Sequence, residues 1–189
     1  MQKILVTYAT NAGSSAKIAE AVAAELDKNA AVEVLPIDKV TSLEPYSAVV
    51  LGAPMILGWH RGALAFLQRN QAALSQKKVA IFITCVNLTK TDETSLDGVP
   101  VFIDEKLPKT PKNPSRLSLK ENYSLPKNYL APILKLVKPV SVGFFGGSLQ
   151  YFSMKWWQVP FVLLVIQATP GDKRNWKAIA EWAGGLFKD

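Results

Sequence analysis

The chain has 189 residues, of which 49% are hydrophobic and 20% charged, a composition that predicts a globular domain and excludes wholesale disorder. One histidine and one cysteine exclude an internal disulfide and a zinc site of the usual His/Cys type. The net charge of +7 is localised, because residues 106–138 hold one acid, Glu121, and eight bases that account for all of it. The bases are Lys106, Lys109, Lys112, Arg116, Lys120, Lys127, Lys135 and Lys138.

The basic tract and the single cysteine indicate partners and compartment. A localised positive charge suits an anionic membrane surface, a polyanion or an acidic substrate, and a solvated surface loop is the alternative. No nucleic-acid partner is predicted. Cys85 stands alone, and no leader-like segment precedes the first strand at Lys3. We therefore expect a cytoplasmic protein, with peripheral contact at the inner face of the membrane left open.

The pattern of apolar residues predicts alternating strands and helices. Residues 3–8 are apolar and β-branched, as in a buried strand, and Ile18, Val22 and Leu26 share one face of a following helix. Asn175 is the expected N-cap of the last helix. The remaining predicted elements are strands at 32–35, 48–52, 79–83 and 140–145 and helices at 62–76 and 176–187. Such alternation is typical of a parallel sheet covered on both faces.

Two segments depart from this alternation. Residues 89–135 are basic and rich in proline, and we interpret them as an insertion between strands four and five. It is expected to contain a hairpin, a short strand at 99–103 and a helix at 129–136. The very apolar segment 156–168 is shorter than the roughly 20 residues that span a bilayer. It is either a buried helix or flap, or a surface for a membrane or hydrophobic substrate involving Tyr151, Trp156 and Trp157.

The strongest motif lies between the first strand and the first helix, where ligands bind in parallel α/β folds. Here a phosphate would meet free N–H groups and the positive end of a helix dipole. Gly13 would allow close backbone approach, and the hydroxyl groups of Thr10, Ser14 and Ser15 could donate. A capped turn with Ser14 as N-cap is the alternative. The whole loop is Thr10, Asn11, Ala12, Gly13, Ser14 and Ser15. Neither a P-loop nor a dinucleotide-binding glycine motif is present.

These residues resemble a known family. The loop at 10–15 is similar to the flavodoxin signature that opens the first helix. The segment 50–58, the Val-Asn-Leu run at 86–88 and the Gly-Gly-Ser-Leu-Gln-Tyr run at 146–151 resemble flavodoxin-fold, quinone-dependent protoporphyrinogen IX dehydrogenases. The resemblance covers nearly the whole chain outside 89–135. It implies one flavodoxin-like domain over residues 1–189, with a doubly wound, five-stranded parallel sheet in the order 2-1-3-4-5.

The resemblance also implies the cofactor FMN, which would carry out the redox chemistry itself, so no catalytic side chain is predicted. The loop at 10–15 would hold its phosphate, and two later loops would surround its ring. The residues of these two loops are Ala53, Pro54, Met55, Ile56, Leu57 and Gly58, and then Thr84, Cys85, Val86, Asn87 and Leu88. Asn87 could bond the pyrimidine edge of the flavin or serve a turn, and Cys85 is expected to be a small buried residue. The residues expected at a substrate or partner surface are His60, Tyr151, Trp156, Trp157, Lys106, Lys109, Lys112 and Arg116, although a structural role is the alternative for His60 and for the aromatic residues.

Three functions remain open at this point. The first is an FMN-dependent enzyme that passes electrons from a hydrophobic or tetrapyrrole substrate to a quinone. The second is a flavodoxin-like carrier that docks on a redox protein through its basic surface. The third is a fold member without flavin that uses the insertion for interactions. The basic charge favours the first over a typical carrier, because carrier flavodoxins are acidic.

Overall fold

The computed structural model describes residues 3–56, 58–149 and 171–188. The predictions that concern Leu57, Tyr151, Trp156 and Trp157 lie outside these residues.

A mostly parallel sheet forms the centre of the described structure. The strands of the described residues are β1 Lys3–Tyr8, β2 Ala31–Pro36, β3 Ala48–Met55, β4 Lys78–Cys85, β5 Leu88–Thr89, β6 Ser95–Leu96, β7 Val99–Ile103, β8 Pro108–Lys109, β9 Ser141–Gly146, β10 Ser148–Leu149 and β11 Gly171–Asp172. The central sheet has the order β2-β1-β3-β4-β9-β7-β6, and the pairs β1–β2, β1–β3, β3–β4 and β4–β9 are all parallel. The predicted order 2-1-3-4-5 is therefore confirmed for the first five positions, with β9 as the fifth predicted strand.

Helices cover both faces of the sheet. They are α1 Ser14–Leu26, α2 Arg61–Arg69, α3 Gln71–Leu74, α4 Leu119–Tyr123, α5 Pro126–Leu134 and α6 Trp176–Gly185 among the described residues. Side chains from α1 and α6 pack in one apolar cluster, and those from α2, α3 and α5 pack in a second one on the opposite face. β3 and β4 are buried along almost their whole length because they lie between these clusters. Asn175 caps α6 as predicted, accepting a bond from the Ala178 N–H at 3.4 Å.

The insertion extends the sheet, so the prediction of five strands is wrong in number. β7 pairs with β9 in parallel, and β6 pairs with β7 in antiparallel fashion. Asp97 and Gly98 join β6 to β7 with φ angles of 49° and 75°, which is the conformation of a tight hairpin turn. The carboxyl end of β7 reaches Asp104, whose carboxylate accepts a bond from the Asn175 side chain at 2.8 Å. The insertion is thus tied to the cap of the last helix.

Candidate functional site

The loop between β1 and α1 turns through Gly13, which has a φ of +80° and forms the N-cap of the helix. This φ favours glycine, and a Cβ built at Gly13 would have no atom within 4 Å. The Gly13 N–H donates to the Thr10 hydroxyl oxygen at 2.8 Å. Space therefore remains above the turn, where the N–H groups of the first helical turn have no intrahelical partner. Ser14 is the first helical residue rather than the cap.

The two serines of this loop have different environments. The Ser14 hydroxyl oxygen accepts a bond from the Ser148 N–H at 2.9 Å and keeps its proton for another acceptor. Ser15 is fully buried, and its hydroxyl lies 3.0 Å from that of Thr84 at the end of β4. The Ser15 hydroxyl, expected from the sequence to donate to a phosphate, thus shares a buried hydrogen bond with Thr84 in which either oxygen can be the donor.

The second loop folds back on itself after β3. The Ile56 N–H donates to the Gly58 carbonyl at 3.1 Å, and the His60 N–H donates to the Pro54 carbonyl at 3.1 Å. Met55 and Trp59 are paired across this turn and are both buried. Ile56 remains 43% exposed. The loop therefore presents an aliphatic side chain beyond the carboxyl end of β3.

The third loop is held by the insertion. The carbonyl of Asn87 accepts a bond from the Tyr129 hydroxyl at 3.1 Å, and its side-chain oxygen lies 3.5 Å from the Lys109 ammonium. Burial raises the pKa of Tyr129 to about 12, so this hydroxyl stays protonated and donates. Cys85 is buried as predicted, and burial raises the pKa of its thiol. A neutral thiol of this kind is unreactive.

A cavity of about 600 Å³ joins the second and third loops to the helices of the insertion. Four predicted ring residues line it together: Met55, Ile56, Val86 and Asn87. The other ring residues that the structure describes are not in its wall. The remaining lining residues come from α4, α5 and their connection: Leu119, Lys120, Asn122, Tyr123, Ser124, Asn128 and Tyr129. The size is within the range of small-molecule sites.

These insertion residues were missed from the sequence. The helix α4 begins with a capping box, in which the Ser118 hydroxyl oxygen accepts from the Glu121 N–H and the Glu121 carboxylate accepts from the Ser118 N–H. This Ser-x-x-Glu spacing was the available signal for a helix here. Bonds from the Ser118 hydroxyl and from the Lys112 N–H to the carboxylate lower the pKa of Glu121 to about 2. The Thr89 hydroxyl and N–H bond the carbonyls of Glu121 and Ser124 at 2.7 and 2.9 Å, which anchors α4 beside the third loop.

The predicted partner surface is only partly brought to this cavity. Lys109 reaches Asn87 at its edge, whereas Lys106, Lys112 and Arg116 are exposed and do not line it. His60 precedes α2 and does not line it either. Burial lowers the pKa of His60, and its Nδ1 is buried with no hydrogen-bond partner among the described residues.

The donor set at 10–15 fits a phosphate, since a left-handed glycine, free helical N–H groups and neutral hydroxyls meet in open space. The cavity beyond β3 and β4 has the volume of a small-molecule site and the side chains of Met55, Ile56 and Val86 in its wall, where a flavin ring could pack. The two lie at the same edge of the sheet, and the Ser15–Thr84 contact links the first loop to the end of β4. Together they define a flavodoxin-like α/β protein with its ligand beyond the carboxyl ends of the strands.

The family comparison agrees with this geometry. A family model described as Flavodoxin domain matches residues 5–175, and the chain belongs to this family. The predicted fold is thereby confirmed, and FMN is supported as the cofactor. No curated protein sequence is significantly similar to the chain.

Several solved structures are similar to parts of the chain. A flavodoxin from the domain Archaea is 15% identical, with a TM-score of 0.46 over 77% of this chain and 85% of its own. Fusobacterium nucleatum flavodoxin bound to flavin mononucleotide is 18% identical, with a TM-score of 0.39 over 45% of this chain and 53% of its own. Rubredoxin oxygen:oxidoreductase from Desulfovibrio gigas is 18% identical, with a TM-score of 0.40 over 44% of this chain. The match spans 23% of that oxidoreductase.

Among residues 3–56, 58–149 and 171–188, no helix is long and apolar enough to cross a membrane.

Proposed function

We propose that the chain is an FMN-dependent oxidoreductase that passes electrons from a hydrophobic substrate to a quinone. The observation that carries this proposal is the wall of the cavity beyond β3 and β4. Apolar groups of the second and third loops form one side of it, and Leu119 and Tyr123 of the insertion form another. A carrier needs only an exposed ring edge, whereas here the helices of the insertion form part of the wall of a cavity whose volume is typical of small-molecule sites.

Each part of the site has a role in this proposal. The loop at 10–15 would hold the phosphate through N–H groups and the hydroxyls of Thr10 and Ser14. Met55 and Ile56 of the second loop and Val86 and Asn87 of the third loop would contact the ring. Bound FMN would supply reversible electron uptake and release, and the protein supplies binding, orientation and electrostatics.

The exposed bases of the insertion indicate the kind of substrate. Lys120 lines the cavity, and the ammonium group of Lys109 contacts the side chain of Asn87 in the cavity wall. An apolar molecule with acidic groups would therefore be complementary to this cavity in charge. A tetrapyrrole such as protoporphyrinogen IX has this chemistry, and the sequence resemblance implies the same substrate. Each removal of two electrons and two protons from the substrate would reduce one quinone to the quinol, so full oxidation of a porphyrinogen to a porphyrin would use three quinones.

One observation favours a second function, that of an electron carrier. Leu119 is 90% exposed and Tyr123 is 46% exposed on α4, and exposed bases lie on the same insertion. An apolar centre with a charged rim is the usual composition of a docking surface. An acidic redox protein would suit it.

Anaerobic oxidation of protoporphyrinogen IX with a menaquinone analogue tests the proposal, beside electron transfer to an iron–sulfur protein. We expect turnover in the first assay to be the faster. The replacement of Trp156 and Trp157 by alanine is expected to slow this turnover more than it weakens FMN binding. Transfer to the iron–sulfur protein alone would instead establish the carrier function.

The cavity itself is tested by Leu119→Asp, with Val140→Asp as a control. Both side chains are exposed, at 90% and 43%, and Val140 lies outside the cavity wall. A carboxylate at position 119 should lower kcat/KM for an acidic apolar substrate and leave FMN affinity unchanged. Equal effects of the two substitutions would contradict a reactant site at α4.

A further inference from the structure

The segment that follows β9 lies directly against the loop at 10–15. The Ser148 N–H donates to the Ser14 hydroxyl oxygen at 2.9 Å, across 134 positions of sequence. A Cβ built at Gly147 would lie 3.3 Å from the same oxygen. A side chain at position 147 would therefore require the Ser14 hydroxyl to shift by a few tenths of an ångström. Gly147 thus leaves room for the hydroxyl in the position that the Ser148 N–H contacts.

The Ser148 bond affects what the Ser14 hydroxyl can do. A hydroxyl has one proton and two acceptor lone pairs. Because the Ser148 N–H occupies a lone pair, the proton remains available for an anion at the helix N-terminus. Accepting one hydrogen bond also strengthens the group as a donor of the next one.

Ser148 belongs to a strand pair that makes several further backbone contacts. It opens β10, which pairs with β11 through Ser148 opposite Asp172 and Leu149 opposite Gly171. The Lys173 N–H donates to the Gly147 carbonyl at 3.1 Å. A Cβ at Gly146 would lie 2.3 Å from the Lys173 carbonyl oxygen, so this backbone approach is also close. Any change in the position of β10 and β11 is therefore transmitted to Ser14.

We propose that the Ser148 N–H positions the Ser14 hydroxyl for the phosphate of the cofactor, and that phosphate binding is thereby coupled to the β10–β11 pair. The inference rests on the proposed FMN site. Coupling of this kind is reciprocal. A change that stabilises the strand pair increases the affinity for the phosphate, and the bound phosphate stabilises the strand pair by the same free energy. Ser148 is a positioning residue that acts through its backbone.

A double-mutant cycle on Gly147→Ala and Ser14→Ala tests this positioning, with FMN and riboflavin titrated into the apoprotein. Riboflavin has the same ring but no phosphate, so it separates the phosphate contact from the ring contacts. We expect Ser14→Ala to weaken FMN binding on the order of tenfold, since a hydrogen bond to a charged group is lost. Gly147→Ala should weaken FMN binding several-fold alone and add nothing in the Ser14→Ala background. Riboflavin binding should be unchanged throughout.

Gly185→Ala is the matched control, because a Cβ there meets nothing within 4 Å, and it should change neither affinity. An equal loss from Gly147→Ala in both backgrounds, or an equal loss of riboflavin affinity, overturns the inference and leaves the FMN site standing. A wild-type chain that binds neither flavin overturns the proposed function and the inference with it.

Hydrogen exchange at the amides of Ser148 and Lys173 gives a readout independent of affinity. FMN at saturation should slow exchange at both amides more than riboflavin does. This difference should vanish in Ser14→Ala. Equal protection by the two flavins would overturn the coupling.

Discussion

Gly13→Ala is expected to have two separable effects, one on stability and one on FMN binding. The φ of +80° at Gly13 is a left-handed conformation that costs an ordinary residue roughly 1–2 kcal/mol. No atom lies within 4 Å of the added Cβ, so no steric clash within the protein adds to this cost. For a chain of this size, such a loss lowers the melting temperature of the apoprotein by roughly 2–8 °C.

The effect on binding has a different origin. The Cβ projects into the open space above the turn, where the phosphate would contact the backbone. We expect FMN affinity to fall by at least about tenfold, the equivalent of roughly 1.4 kcal/mol, through the loss of a charge-assisted hydrogen bond. Riboflavin affinity should not change.

Gly98→Ala provides the matched control for Gly13→Ala. Gly98 has a φ of +75° and equally open surroundings, but it lies in the turn between β6 and β7. Thermal unfolding should show a similar loss of stability in both variants, and flavin titration should show a loss of FMN affinity only in Gly13→Ala. Retention of full FMN affinity in Gly13→Ala, or a parallel loss of riboflavin, would refute the placement of the phosphate at this turn.

Three further predictions follow from buried contacts and charges. Ser15→Ala and Thr84→Val should each cost about 1–3 kcal/mol of unfolding free energy because a buried hydroxyl loses its partner, and the double variant should cost less than their sum in denaturant titrations. Burial lowers the pKa of His60, so the unfolded chain binds a proton at this imidazole more tightly than the folded protein does. The free energy of unfolding should therefore fall as the pH drops below about 6.5. His60→Gln should show a smaller fall, and identical pH profiles of the two proteins would contradict this explanation. Neutralisation of five insertion bases should preserve the fold and FMN binding. It should weaken docking to anionic partners and reduce the dependence of that docking on salt concentration. Docking with an unchanged salt dependence would favour a solvated loop without a partner. These bases are Lys106, Lys109, Lys112, Arg116 and Lys120.

The sequence by itself determined the parts of the fold that local patterns specify. Apolar β-branched runs predicted β1, β3, β4 and β9, because a strand buried on both faces must be apolar throughout. Asn175 and the loop with Gly13 were identified because helix ends and left-handed turns have strong residue preferences. The alternation of these elements then indicated a parallel sheet covered on both faces, and the resemblance to flavodoxins implied its strand order. The hairpin turn at Asp97 and Gly98 and the capping box of Ser118 and Glu121 also depend on residue preferences that act locally in the sequence.

Only the tertiary structure decided how distant segments meet at the site. Ser15 meets Thr84 across 69 positions, and Ser14 meets Ser148 across 134 positions. Neither pairing follows from local preference, because it depends on the packing of strands around a shared edge. The pairing of β7 with β9 and the position of Tyr123 and Ile56 in the wall of one cavity also depend on tertiary packing. Side chains that line a site from an irregular insertion have no periodicity to reveal them, since their direction is fixed only when the insertion docks on the sheet.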